Sequence, residues 1–169
     1  MAIRPIITAP NPVLRKKTEP IKVIDESIRD LVSDMLDTLA HAAGVGLAAP
    51  QIGVSLRICA LHLPDWEPFV IINPEIVKRV GKREVEESCL SLPGYQGKIM
   101  RAVEVTVEGF DLEGQPVQLK ARKLLAQAFE HEIDHLDGVL YTDHIKSPNG
   151  LYKIEPEETM QAEEATYAP

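Results

Sequence analysis

The segment His131-Glu-Ile-Asp-His135 restricts this chain more than any other stretch of it. Histidines four residues apart share one face of a helix, one turn above the other, so both imidazoles can reach one metal ion. Glu132 falls about 100° round the helix axis, beside such an ion rather than on it, where a bound water would sit. The flanking residues read as helix independently, from about Arg122 to Leu136. Leu124, Leu125, Ala128 and Phe129 lie on the apolar side, and Asp137-Gly138 marks the stop. By chance the pattern should arise in roughly one chain of this length in a few hundred. Leu124 and Ala128 continue the histidine face upstream, so the imidazoles point inward, where unpartnered polar groups are costly.

A catalytic site of this type takes three protein ligands and leaves one position open. The candidates for the third are His41, His62, His144, Cys59, Cys89 and several carboxylates. Cys59 lies in the apolar run Arg57-Ile-Cys-Ala-Leu61 and reads as a small buried hydrophobe. Cys89 has no apolar flank on its N-terminal side and precedes Leu-Ser-Leu-Pro-Gly, which reads as a strand-ending loop. Beyond His135 only the acidic tail offers a glutamate. Spacing favours Cys89 without deciding the matter.

The remaining elements point to one domain. Asp25 can cap a helix whose stripe Ile28, Leu31, Val32, Met35, Leu36 and Leu39 faces a core. The helix is expected to stop at Gly44-Val-Gly46, releasing an irregular segment. Short branched runs at Ser55–Leu63, Phe69–Asn73 and Glu75–Val80 read as strands. Val103, Val105 and Val107 alternate with polar residues as a half-buried strand does, and Asp111-Leu-Glu-Gly114 turns the chain into Val117–Lys120. The fold class is α+β, with antiparallel strands packed around the helix that carries the histidines. Residues 1–146 form the catalytic domain, and residues 147–169 form an acidic tail expected to be mobile or loosely helical.

Charge and hydropathy exclude some functions. The net charge is −8, about half of it from Ser147 onward, and no stretch has the basic density a phosphate backbone demands. Direct nucleic-acid binding is not expected. No apolar run approaches the roughly eighteen residues of a membrane span. Prolines break the N-terminal MAIRPIITAPNP before a signal-peptide core could form. A cytoplasmic location is expected.

Three segments together resemble the signature of peptide deformylases: Gly44-Val-Gly-Leu-Ala-Ala-Pro-Gln51, Glu87-Ser-Cys-Leu-Ser91 and Glu130-His-Glu-Ile-Asp-His-Leu136. They stand in the family's order and approximate spacing. The resemblance covers roughly residues 3–146. It implies metal ligation by Cys89, His131 and His135, with Glu132 as general base and acid. It also implies that Gln51 and the Leu90 N–H hold the oxyanion, while Gly46 lines a cleft that takes the peptide as an added strand. The implied metal is iron(II), with nickel, cobalt or zinc able to substitute. The implied substrate is an N-formyl-methionyl peptide, met in transient association with the ribosome. Leu124, Leu125, Ala128 and the segment after Pro93 are candidates for the methionine pocket.

Two positions depart from the family pattern. Ser88 stands where glycine is usual, which would disturb the loop if that glycine served a strained backbone. Glu130 stands where glutamine is usual, to tune His131 or to face solvent. An H-E-x-x-H endopeptidase would share the helix but need a long open cleft. An inactive deformylase-like binding domain would keep the fold without turnover.

Overall fold

The structure is a computed structural model that describes residues 2–154; the expected acidic tail from Glu155 onward lies outside the described residues. Helix α1 spans Glu26–Ala42, with the Asp25 carboxylate accepting the Ile28 N–H at 3.2 Å. Its apolar stripe is buried as the spacing predicts, except that Leu36 is only partly so. The stop differs from expectation. Ala43, not a glycine, takes the left-handed conformation (φ 51°), while Gly44 N–H reaches back to the Leu39 carbonyl.

Five strands form one antiparallel sheet in the order β1-β2-β3-β6-β7. They are β1 (Gly46–Ala48), β2 (Ile58–Leu61), β3 (Phe69–Val80), β6 (Glu104–Phe110) and β7 (Pro116–Arg122). The segment after α1 that reads as irregular thus includes a short edge strand, paired Leu47 to Ala60. The two runs expected at Phe69–Asn73 and Glu75–Val80 are one strand. Asn73 sits at φ 51°, the register shifts between Ile72 and Glu75, and the Asn73 side chain bonds both the N–H and the carbonyl of Ile21.

A second sheet, β4-β5-β8, comprises Arg83–Cys89, Leu92–Arg101 and Leu151–Lys153. The sequence hid the long β4–β5 hairpin because its inward positions are not all apolar. Val85, Glu87 and Cys89 point in from β4; Gly97, Ile99 and Arg101 point in from β5. A buried carboxylate and a buried guanidinium break the hydrophobic alternation by which strands are recognised. Cys89 therefore ends a strand at a tight reversal, paired with Leu92. Strand β8 carries ordered structure past Lys146.

Helix α2, Lys123–Leu136, ends where Asp137 N–H bonds the Ile133 carbonyl, and Gly138 follows at φ 75°. A Cβ on Gly138 would stand 2.5 Å from the Arg15 carbonyl oxygen, so both conformation and space require glycine there. Phe129, Ile133 and Leu136 pack with Cys59, Leu61, Ile71, Val105 and Val107 in one core, while α1 packs over Leu47, Ile58 and Ile72 in another. Helix α2 thereby packs its apolar side on the five-stranded sheet, meets β4 and β5 through Glu86, Glu87 and Arg101, and turns its remaining face to a cleft.

Candidate metal centre

The cleft lies between the edge strand β1, the β4–β5 reversal and α2. Its α2 wall is Leu124, Gln127, Ala128, His131 and Glu132, a continuous helical stripe. Gly44–Gly46 and Ser88–Leu90 line the opposite sides, with Gln51 at the base. Its volume of about 330 Å³ is at the small end for ligand clefts. Leu125, one position round the helix, is packed into the core and is not a cleft wall. Gly46, Leu124 and Ala128 do line it.

At the base, Cys89, His131 and His135 converge. Their donor atoms all lie within 4.8 Å of one another. The His135 Nε2 is 3.2 Å from both Cys89 Sγ and His131 Nε2. Donors bound at about 2.1–2.3 Å round a tetrahedral ion stand about 3.4–3.6 Å apart, so this spacing fits a shared cation. Two imidazole lone pairs and a thiolate facing one another favour a cation between them. The electrostatics agree: burial opposes charging of His131, but Glu87 and Cys89 outweigh it and raise its pKa, whereas burial and His131 lower that of His135. The other candidates lie elsewhere. Cys59 is in the core, His41 and His62 are exposed, and His144 Nε2 meets Asp134 Oδ2 at 2.8 Å.

Of the donors, His131 is held from behind, whereas His135 Nδ1 has no hydrogen-bond partner among the described residues. His131 Nδ1 bonds Glu87 Oε1, which fixes the ring with Nε2 toward the centre. Burial alone would raise the Glu87 pKa, but His131 and Arg101 bring it down to about 2. The Arg101 guanidinium grips both Glu87 oxygens, at 2.7 and 3.0 Å, and reaches Asp134 at 2.7 Å. The Tyr141 ring stacks on His131, centroids 6.2 Å apart. Glu87 was within a recognised motif, yet its part in orienting His131 could not be read from spacing. Nor could the parts of Arg101, Asp134 and Tyr141.

Gln51 is oriented by its acceptor. Its Oε1 takes the Ala48 N–H at 2.9 Å, so the amide nitrogen must face Ser91 Oγ, at 3.2 Å, and Cys89. Glu132 is 3% exposed, and burial pushes its carboxyl up to about 7. Its Oε2 has no hydrogen-bond partner among the described residues. It is not paired with Arg101, whose bonds go to Glu87 and Asp134.

Gly46 makes room for that carboxylate: a Cβ there would stand 2.3 Å from Glu132 Oε1. Gly46→Ala should displace Glu132 by about 1 Å and lower turnover roughly 100-fold, with the fold intact. Steady-state rates beside a thermal melt check this; unchanged turnover would mean the carboxylate position is not critical.

The two departures have structural answers. Ser88 is exposed and has no left-handed backbone, so the expected strain is absent. Glu130 neither faces solvent nor touches His131. It is buried, bonded to Arg79 Nε at 3.0 Å and to the Ala102 N–H at 2.8 Å.

An α+β fold that presents an H-E-x-x-H helix to a cysteine at the base of a cleft has the parts of a metal-dependent hydrolase. Comparison with known proteins narrows this class. Residues 3–150 match the polypeptide deformylase family model. A peptide deformylase of Dehalococcoides mccartyi (strain CBDB1) is 50% identical over 96% of this chain and 98% of its own length. The crystal structure of a peptide deformylase from Legionella pneumophila superposes with a TM-score of 0.82 at 42% identity, covering 98% of this chain and 94% of that one. A Met-Ala-Ser-bound peptide deformylase from Acinetobacter baumannii gives 0.82 at 28% identity, over 85% of this chain and 99% of that one. The chain belongs to the peptide deformylase family.

Proposed function

We propose that this chain removes the formyl group from the N-terminal formyl-methionine of newly made polypeptides through a cation held by Cys89 Sγ, His131 Nε2 and His135 Nε2. Iron(II) is the resident metal in this reading, and nickel, cobalt or zinc can replace it. The observation that carries it is the convergence of three donor atoms beside a buried carboxylate with an unpartnered oxygen. Bound there, a divalent cation supplies Lewis acidity and lets water act as a nucleophile near neutral pH.

The residues of the chain do the rest. The peptide lies as an added strand beside β1, an outer strand of its sheet, with its methionine against Leu124 and Ala128. Glu132 accepts the proton that the attacking water loses. The Gln51 amide and the Leu90 N–H stabilise the charge that develops on the formyl oxygen. Glu132 then delivers the proton to the leaving nitrogen as the C–N bond breaks, giving formate and a free N-terminal amine. A newly made substrate places this work in the cytoplasm, in transient contact with the ribosome. Among the described residues no helix is long and apolar enough to cross a membrane.

The test is turnover of formyl-Met-Ala-Ser beside its acetyl analogue, with metal content measured on the same samples. The added methyl should slow the acetyl peptide by roughly 10–200-fold. Cys89→Ala should lose metal and activity together, whereas Cys59→Ala keeps its metal. Comparable rates on the two peptides would point to a broader amidohydrolase, and a fully metallated, active Cys89→Ala protein would remove that ligand.

A further inference from the structure

One wall of the cleft comes from outside the three motifs. Strand β8 pairs with β5 in the register Tyr95 to Lys153, Gln96 to Tyr152 and Gly97 to Leu151. The Ile154 N–H continues this ladder to the Gly94 carbonyl at 3.1 Å. Residues 151–154 lie just past the 3–150 span of the family match. Exposure alternates along them: Leu151 and Lys153 are exposed, Tyr152 and Ile154 partly buried, so the latter two share a face.

That face belongs to the cleft. The Tyr152 hydroxyl reaches Glu86 Oε1 at 3.1 Å and Gln96 Oε1 at 3.3 Å, and both residues line the cleft. Ile154 lines it as well, beside Gly94 and Tyr95. Among the described residues its side chain belongs to none of the buried apolar clusters. A branched apolar side chain is thus anchored by its backbone at the cleft, without a share in the core.

We propose that Ile154 is a specificity-determining residue that contacts a substrate side chain beyond the methionine and favours an apolar one there. This rests on the deformylase reading above. Glu87 pairs with Gly97 and Gly97 with Leu151, so Ile154 lies two strands across from Cys89 and about one residue further along. Strand spacings of about 4.8 Å and a rise of about 3.3 Å per residue put Ile154 roughly 10 Å from Cys89. An extended peptide starting at the metal centre brings its second and third residues, not its first, within reach of a side chain at that distance.

The experiment uses the full-length, metal-loaded protein and two peptide series, formyl-Met-X-Ser and formyl-Met-Ala-X, with leucine or alanine at X. Wild type should favour leucine at one of the two positions by roughly three- to tenfold in kcat/KM, the worth of a partly buried apolar contact. Ile154→Asn should bring that ratio close to one, and Ile154→Val should keep most of it. Lys153→Ala, on the opposite face of β8, should leave the ratio unchanged. Equilibrium binding of Met-Leu-Ser or Met-Ala-Leu against Met-Ala-Ser repeats the comparison without turnover. A wild-type ratio near one at both positions, or a ratio that survives in Ile154→Asn, overturns the assignment. A ratio lost equally in Lys153→Ala also overturns it, because the effect would then belong to the attachment of β8. A wild type that binds the peptides but deformylates none would sink the deformylase reading instead, while the binding ratios would still decide the role of Ile154.

Discussion

The Glu132→Gln protein is expected to fold and keep its metal while losing turnover by about 10³–10⁴-fold, the upper range for a general acid–base group. Glutamine has the size to hold a water but cannot take its proton or return it to the leaving amine. The structure separates this from a structural role. Among the described residues Glu132 is buried with no cation in ion-pair contact, since Arg101 is committed to Glu87 and Asp134. Replacing an unpaired buried carboxylate by a neutral amide removes a desolvation cost, so the melting temperature should hold or rise. Melting temperature, metal stoichiometry and turnover measured on one preparation decide the matter. A stable, metallated variant within a few-fold of wild-type turnover would take Glu132 out of the mechanism.

Arg101→Met should have the largest effect on stability. The Arg101 side chain is 3% exposed and so is that of Glu87, with Asp134 at 19%. Removing the guanidinium strands one fully buried carboxylate and weakens a second. Breaking such a pair from one side typically costs about 3–5 kcal/mol, which for a chain of this size lowers the melting temperature by roughly 10 °C. Glu87 then loses the group that aims it at His131, and metal affinity should fall about 10–100-fold. Arg101→Lys restores charge but not the two-pronged grip on Glu87, so it should recover only part of either loss. A melting temperature and metal affinity close to wild type in Arg101→Met would show that the network is dispensable.

Strand and helix positions were legible wherever burial follows apolar character. The stripe of α1 and Val105 and Val107 of β6 are examples; Val103, read with them, is exposed and precedes the strand, while Glu104 is buried. The β4–β5 hairpin was not legible, because Glu87 and Arg101 occupy inward positions that the pattern reserves for apolar residues. Leu125 shows a finer limit. As a leucine next to Leu124 on the same helix it is an equal candidate for the cleft by composition, but a turn of about 100° per residue sends it into the core. Glu130 shows another: its carboxylate is absorbed by Arg79, 51 residues away in sequence.

The sequence by itself determined the α2 helix, the facing of His131 and His135, and the position of Glu132 beside them, because those relations are fixed by helical spacing within five residues. It also singled out Cys89 as a candidate, through a motif resemblance rather than through spacing. Only the tertiary structure decided how the donors are held and what the cleft contains. Glu87 reaches His131 across 44 positions, Arg101 reaches Asp134 across 33, and Gln51 approaches Cys89 across 38. Ile154 arrives at the cleft because β8 folds back onto β5. These contacts join residues from separate strands and helices, so they exist only once the two sheets close around α2, and no local periodicity encodes them.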